Sequence, residues 1–155
     1  KSFPIPRKKR FYFKDKEGVA AFLYQAMGER MCTEFRQIIE NHESSHDQCH
    51  AVVKLLFEIT QNEPESMSFM LYTKHREFLP QERPVCSSEP FTMMRSMVEY
   101  GMQRGEIEQR DVFVASTCLF GGAIRLITSH LDGVLEKPLA DYLNDTWACS
   151  WKAVS

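Results

Sequence analysis

At 155 residues, with 43% hydrophobic and 26% charged residues, the chain is long enough to bury one core and too apolar for a low-complexity segment. Its formal net charge is −2, but the charge is unevenly placed: residues 1–10 hold five cations (Lys1, Arg7, Lys8, Lys9, Arg10) and no acids, leaving 14 Lys and Arg against 21 Asp and Glu, net −7, over residues 11–155. Such an acidic body excludes nucleic-acid binding over the whole surface, while the basic arm can meet phosphates through counterion release.

The start, Lys1-Ser2-Phe3-Pro4-Ile5-Pro6, has no apolar leader-type stretch. The longest apolar run, residues 112–124, is interrupted by Ser116, Thr117 and two glycines and falls short of the ~20 residues that a bilayer span needs. Five cysteines (Cys32, Cys49, Cys86, Cys118, Cys149) at irregular spacing, without a CxxC pair, fit a reduced chain rather than a disulfide framework. A cytoplasmic protein is expected.

Helical periods dominate the chain. A first helix starts at Asp15, a good N-cap, with Glu17 in its first turn, and carries Val19, Phe22, Leu23, Met27, Met31, Phe35 and Ile38 at three- and four-residue spacing to about Glu40. Residues 41–47 read as a polar loop, and Ser45 with Gln48 reads as a capping box for a second helix with Val52, Val53, Leu55, Leu56 and Ile59 on its apolar positions. Asn62-Glu63-Pro64 stops it and opens a short, apolar third helix. Two prolines hold residues 79–84 as an irregular loop. Ser88-Glu89-Pro90 opens a fourth helix that ends at Gly105, Asp111 opens a fifth that ends at Asp132-Gly133, and Pro138 opens a sixth that runs to the C-terminus. The expected fold is all-α, with about six helices.

Several stretches in this order are similar to the regulatory body of TetR-type transcriptional regulators. Phe11-Tyr12-Phe13-Lys14-Asp15-Lys16-Glu17 resembles the family's junction between the DNA-reading head and the first body helix. Gly101-Met102-Gln103-Arg104-Gly105-Glu106 resembles the family's turn after the fourth body helix, Gly121-Gly122 sits where family members carry a mid-helix glycine, and Asp145-Thr146-Trp147 to Trp151 resembles the last helix. The resemblance covers residues 11–155. It implies a ligand-binding and dimerisation domain there, preceded by the basic arm of residues 1–10, with the helix-turn-helix head expected between Arg10 and Phe11 and absent from the sequence.

That resemblance implies residue roles. Lys16 would meet a DNA backbone phosphate, with Tyr12 and the arm residues Arg7, Lys8, Lys9 and Arg10 as further contacts. A cavity between the first four body helices would be lined by Met31, Phe35, Leu56, Met70, Met94, Met97 and Val98, with Thr60, Thr73 and Tyr100 as polar groups. Met accepts varied apolar shapes, which suits such a pocket, and His75 or Arg76 could meet a carboxylate on the ligand. The last two helices would pair with those of a second subunit in a four-helix bundle through Cys118, Gly121, Gly122, Arg125, Leu139, Leu143, Trp147 and Trp151, with Asp141 or Asp145 as partner for Arg125.

His42, His46, His50 and Cys49 lie close in sequence, but the polar stretch around them reads as a solvated loop, so no metal and no cofactor is assigned. No nucleophile–base pair, paired carboxylates or phosphate-binding glycine loop is present, which argues against an enzyme. The expected function is a homodimeric, DNA-binding repressor released by a small hydrophobic or amphipathic effector. The alternatives are a helical dimeric interaction module without DNA binding, or a redox sensor built on Cys86, whose thiol follows Arg83-Pro84.

Overall fold

A computed structural model describes residues 15–81 and 84–155, without the side chain of Cys86. The basic arm, Tyr12 and the Phe11–Lys14 part of the junction therefore lie outside the described residues, as does the Cys86 thiol. The described residues form six α-helices and no strand: α1 (Lys16–Asn41), α2 (Ser45–Asn62), α3 (Pro64–Tyr72), α4 (Glu89–Gln103), α5 (Val112–Leu131) and α6 (Leu143–Lys152).

Local signals explain most of the boundaries. The Asp15 carboxylate accepts from the Gly18 N–H at 2.8 Å and starts α1. Pro64 sits in the first turn of α3, where a missing N–H costs nothing. The Asp111 carboxylate accepts from the Phe113 and Val114 N–H groups and starts α5. Gly105, at φ 74°, makes the left-handed turn that ends α4.

Helix α2 is the centre of the bundle and packs against each of the other five. Its fully buried Val52, Val53 and Phe57 meet Phe35 from α1, Met97 and Val98 from α4, and Leu119 and Ile127 from α5. Burial of each large side chain contributes about 1.5–3 kcal/mol relative to exposure. With 20 residues, α5 has the length and hydropathy of a membrane span, more than the interrupted run in the sequence indicates. It is also a core helix here, burying Ala115, Leu119, Phe120, Ala123 and Ile127 against its neighbours.

Three expectations need correction. The loop before α2 is far shorter than residues 41–47, because α1 continues to Asn41 and Ser44, not Ser45, is the N-cap, accepting from the Asp47 N–H at 3.0 Å. Ser45 is fully buried inside the helix and its hydroxyl donates to the Met97 carbonyl at 2.8 Å. Gln48 does not close a capping box but donates to the His42 carbonyl at 2.9 Å. The free N–H groups of Ser45 and His46 go instead to Glu106, at 3.2 and 3.1 Å, a carboxylate delivered from the turn after α4. Finally, Pro138 opens a 3-10 turn, Leu139–Tyr142, and α6 begins only at Leu143.

Candidate functional site: an apolar chamber among five helices

The first five helices line a small apolar cavity of about 60 Å³. Helix α1 supplies Met27, Met31 and Phe35 at four-residue spacing, so one face of a single helix forms a wall. Helix α2 adds Leu56 and Ile59, and α3 adds Met67, Met70 and Leu71. Pro90, Phe91 and Met94 of α4 and Ile124 and Ile127 of α5 close the far side. Five methionines in one lining give it side chains that change rotamer at low cost.

Of the pocket residues expected from sequence, Met31, Phe35, Leu56, Met70 and Met94 come together on this wall, and five do not. Met97 and Val98 are buried in the packed core instead, at 1% and 0% exposure. The Thr60 hydroxyl, also buried, donates back to the Leu56 carbonyl in its own helix at 2.7 Å. Thr73 stands past the end of α3 as its C-cap. Tyr100 points to the start of α2, where its hydroxyl donates to the Glu43 carbonyl and accepts from Arg104.

The suggested carboxylate ligands are also elsewhere. His75 is buried among Tyr24, Phe69 and Phe78, with Nε2 donating to the Met70 carbonyl at 3.0 Å, and Arg76 is exposed.

Sequence reasoning missed the polar element of the chamber. Arg30 is on its wall and holds the Glu63 carboxylate with two hydrogen bonds, at 2.8 and 2.9 Å. The only sequence signal is an arginine one turn from Met27 on an apolar face. Glu63 is the residue between α2 and α3, so the pair ties α1 to that junction. The Arg30 hydrogen bonds hold the Glu63 carboxyl below the usual carboxylate range, and the Ser66 hydroxyl adds a smaller contribution.

A depressed carboxyl pKa contributes stability above the unfolded value of 4.5 and loses it as pH falls through the folded value. Arg30→Gln is expected to cost about 1 kcal/mol at neutral pH, a figure reduced because the Arg30 side chain is 35% exposed. The cost should shrink as pH falls below that of an ordinary glutamate. Urea midpoints of both proteins at neutral pH and near pH 3 measure it, and an equal cost at both would exclude an ionic contribution.

Of the histidines expected in a solvated loop, His46 and His50 form a packed cluster between α2 and α6, whereas His42 is the C-cap of α1 and its Nδ1 donates to the Ile38 carbonyl at 2.9 Å. The Trp147 indole N–H donates to His46 Nε2 at 3.0 Å, which leaves Nδ1 to carry the proton toward Asp47 at 2.8 Å. His46 also meets the Trp151 ring edge-on at 4.7 Å, and His50 packs edge-on against Trp147. Burial, then the neighbouring His46, pushes the His50 pKa down. Cys49 faces the core, where burial pushes its thiol up to about 12, so it is protonated at neutral pH. No three potential ligands come together to hold a metal among the described residues.

Helices α5 and α6 present a shared outer face. Along α5 the exposed Val114, Thr117, Cys118, Gly122 and Arg125, with half-buried Gly121, fall on one stripe. On α6 the exposed residues are Asn144, Asp145, Ala148, Cys149 and Lys152. Two expected interface residues are turned inward: Leu139 is fully buried and Trp147 is 7% exposed, because they close this chain's own core. Leu143 and Trp151 are half-buried. Arg125 has no ion-pair partner within the chain among the described residues, and neither do the exposed Asp141 and Asp145. Lys16, the first residue of α1, is exposed.

No family model matches the chain, and no curated protein does. Solved structures do match. A protein with unknown function from Rhodococcus sp. RHA1 superposes with a TM-score of 0.71 and 15% identity, over 92% of this chain and 75% of that one. A TetR family transcription regulator from Marinobacter aquaeolei VT8 superposes with a TM-score of 0.68 and 17% identity, over 95% of this chain and 76% of that one. At such identities the likeness is one of fold: six helices arranged as in a TetR-like regulator, which is the architecture expected from the sequence.

Proposed function

We propose that this chain is the regulatory body of a TetR-type transcriptional repressor, a cytoplasmic homodimer released from operator DNA by a small hydrophobic or amphipathic effector. The observation that carries the reading is the apolar chamber, built by five helices of a fold that a TetR family regulator shares. An effector entering it wedges α1 against α3, α4 and α5. Lys16 lies 14 residues before Arg30 on the same helix, about 21 Å away along its axis. Movement of the α1 wall therefore reaches the end of the helix that the sequence likeness joins to a DNA-binding head. A change in the spacing of two heads alters affinity for half-sites set one helical turn, or a multiple of it, apart.

The second subunit meets the first through the outer face of α5 and α6. Its small residues let two helices approach closely, and the unpaired Arg125, Asp141 and Asp145 become partners across the two-fold axis.

Thermal unfolding with and without N-phenylnaphthylamine, a neutral lipophilic probe, tests the chamber. A ligand at about 100 times its dissociation constant stabilises by about 2.7 kcal/mol, which raises the midpoint of a domain this size by roughly 5–10 °C. An unchanged midpoint, with no rise in probe fluorescence, would remove the effector site from the proposal. Selection from random duplexes by the intact gene product tests DNA binding, and recovery of no preferred sequence would reject the regulator reading.

A further inference from the structure

We infer that the chamber selects uncharged ligands, because the single charged group on its wall, Arg30, is already neutralised by the two hydrogen bonds that it gives Glu63. The inference rests on the chamber being the effector site and narrows what that site takes. The other hydroxyl-bearing or charged side chain on the wall is Ser66, and it too is turned to Glu63, whose carboxyl it helps hold in the ionised form. Everything else on the wall is Met, Phe, Leu, Ile, Val or Pro.

A carboxylate entering this space finds a cation already satisfied in a planar, bidentate geometry. To use it, the ligand must displace Glu63 and leave that carboxylate without its partner, at 17% side-chain exposure. An ammonium finds no anionic side chain on the wall at all. Either ion gives up its hydration for nothing, whereas an uncharged ring or chain gives up only apolar hydration and gains dispersion contacts.

The mouth sets the limit of the rule. Met70 and Pro90 border both the chamber and an open groove between α1 and the start of α4, where Gln25, Glu29, Arg36 and Glu89 are exposed. A long-chain amphiphile can leave a charged head in that groove with its tail in the chamber. A compact ring system cannot, so compact rings read the chamber alone.

The test is displacement of N-phenylnaphthylamine from the whole chain by naphthol, naphthoate and naphthylmethylammonium at neutral pH. Naphthol is expected to bind at least about tenfold more tightly than either ion. Naphthoate or the ammonium binding as tightly as naphthol would overturn the inference and leave the effector site standing. No binding of the probe or of any of the three would overturn both.

Glu63→Gln supplies an independent reading. The amide leaves Arg30 with an uncompensated charge at the wall, and naphthoate should gain about tenfold relative to naphthol. An unchanged ratio in a variant that still takes up the probe would also overturn the inference. The comparison in the unsubstituted protein stands whether or not the variant folds.

Discussion

Gly101→Ala is expected to destabilise the chain by about 2–3 kcal/mol, and Gly101→Val by more. A Cβ at Gly101 would lie 2.4 Å from the Ser45 hydroxyl oxygen and 2.8 Å from both Ser45 Cβ and the end of the Ile107 side chain. Ile107 can give way at its flexible tip. Ser45 cannot, because its hydroxyl is fully buried and donates to the Met97 carbonyl. Rotation of that hydroxyl would leave a buried donor and acceptor unpaired, at a further ~1–3 kcal/mol. The contact is therefore between the start of α2 and the last turn of α4, close to the Glu106 carboxylate that caps α2.

Equilibrium urea unfolding of Gly101→Ala, alone and combined with Ser45→Gly, measures the effect and its cause. Ser45→Gly removes both Ser45 atoms from the clash, at its own cost of the Met97 hydrogen bond, so Gly101→Ala should cost less than half as much in the Ser45→Gly background as in the unsubstituted chain. Additive costs would mean that the two residues do not oppose each other across this crossing.

How much of this was legible in the sequence follows from the range of each interaction. The number of helices, the N-caps at Asp15 and Asp111 and the proline at the start of α3 rest on contacts within four residues, and the sequence pattern carries them. The start of α2 does not: Ser44 and Ser45 are both good caps, and the choice between them is made by Met97 and Glu106, more than fifty residues away. A window of sequence cannot see that Ser45 has a better partner than its own helix.

The chamber divides in the same way. Met31, Phe35, Leu56, Met70 and Met94 share the helical faces that meet, so periodicity groups them. Thr60 and Tyr100 are polar residues on the same helices, so the pattern groups them too, but Thr60 hydrogen-bonds the Leu56 carbonyl of its own helix and Tyr100 the Glu43 carbonyl. Arg30 and Glu63 escaped because their pairing spans thirty-three positions and two helices. The histidines of α2 escaped because their partners, Trp147 and Trp151, come from the far end of the chain.

Gly122→Arg is expected to convert the proposed dimer to a monomer while leaving the fold at least as stable. Within one chain a Cβ at Gly122 meets only the Ser150 hydroxyl oxygen, at an ordinary 3.9 Å, and the position is exposed, so a long side chain has room to leave the surface. Exchange of a mid-helix glycine for arginine favours the helix by up to about 0.8 kcal/mol. Nothing among the described residues of the isolated chain accounts for two adjacent glycines in α5, each of which weakens it. A second backbone approaching at this point does account for them. In an isologous interface the substitution acts twice, inserting two arginines into one contact, and the dissociation constant should rise by at least about a hundredfold.

Sedimentation velocity at micromolar concentration reads the association, and thermal unfolding of the dilute protein reads the fold. A dimer that survives Gly122→Arg would move the interface off the α5–α6 face. A monomer that also melts earlier would make the glycine a packing residue of the single chain. Charge exchange separates the geometric part from the ionic part. Arg125→Asp should weaken the dimer by itself, and Asp141→Arg or Asp145→Arg in the same chain should restore it only if that aspartate is the residue facing Arg125 across the axis. Two copies of one chain carry both halves of the swap, so a single double variant decides which aspartate it is.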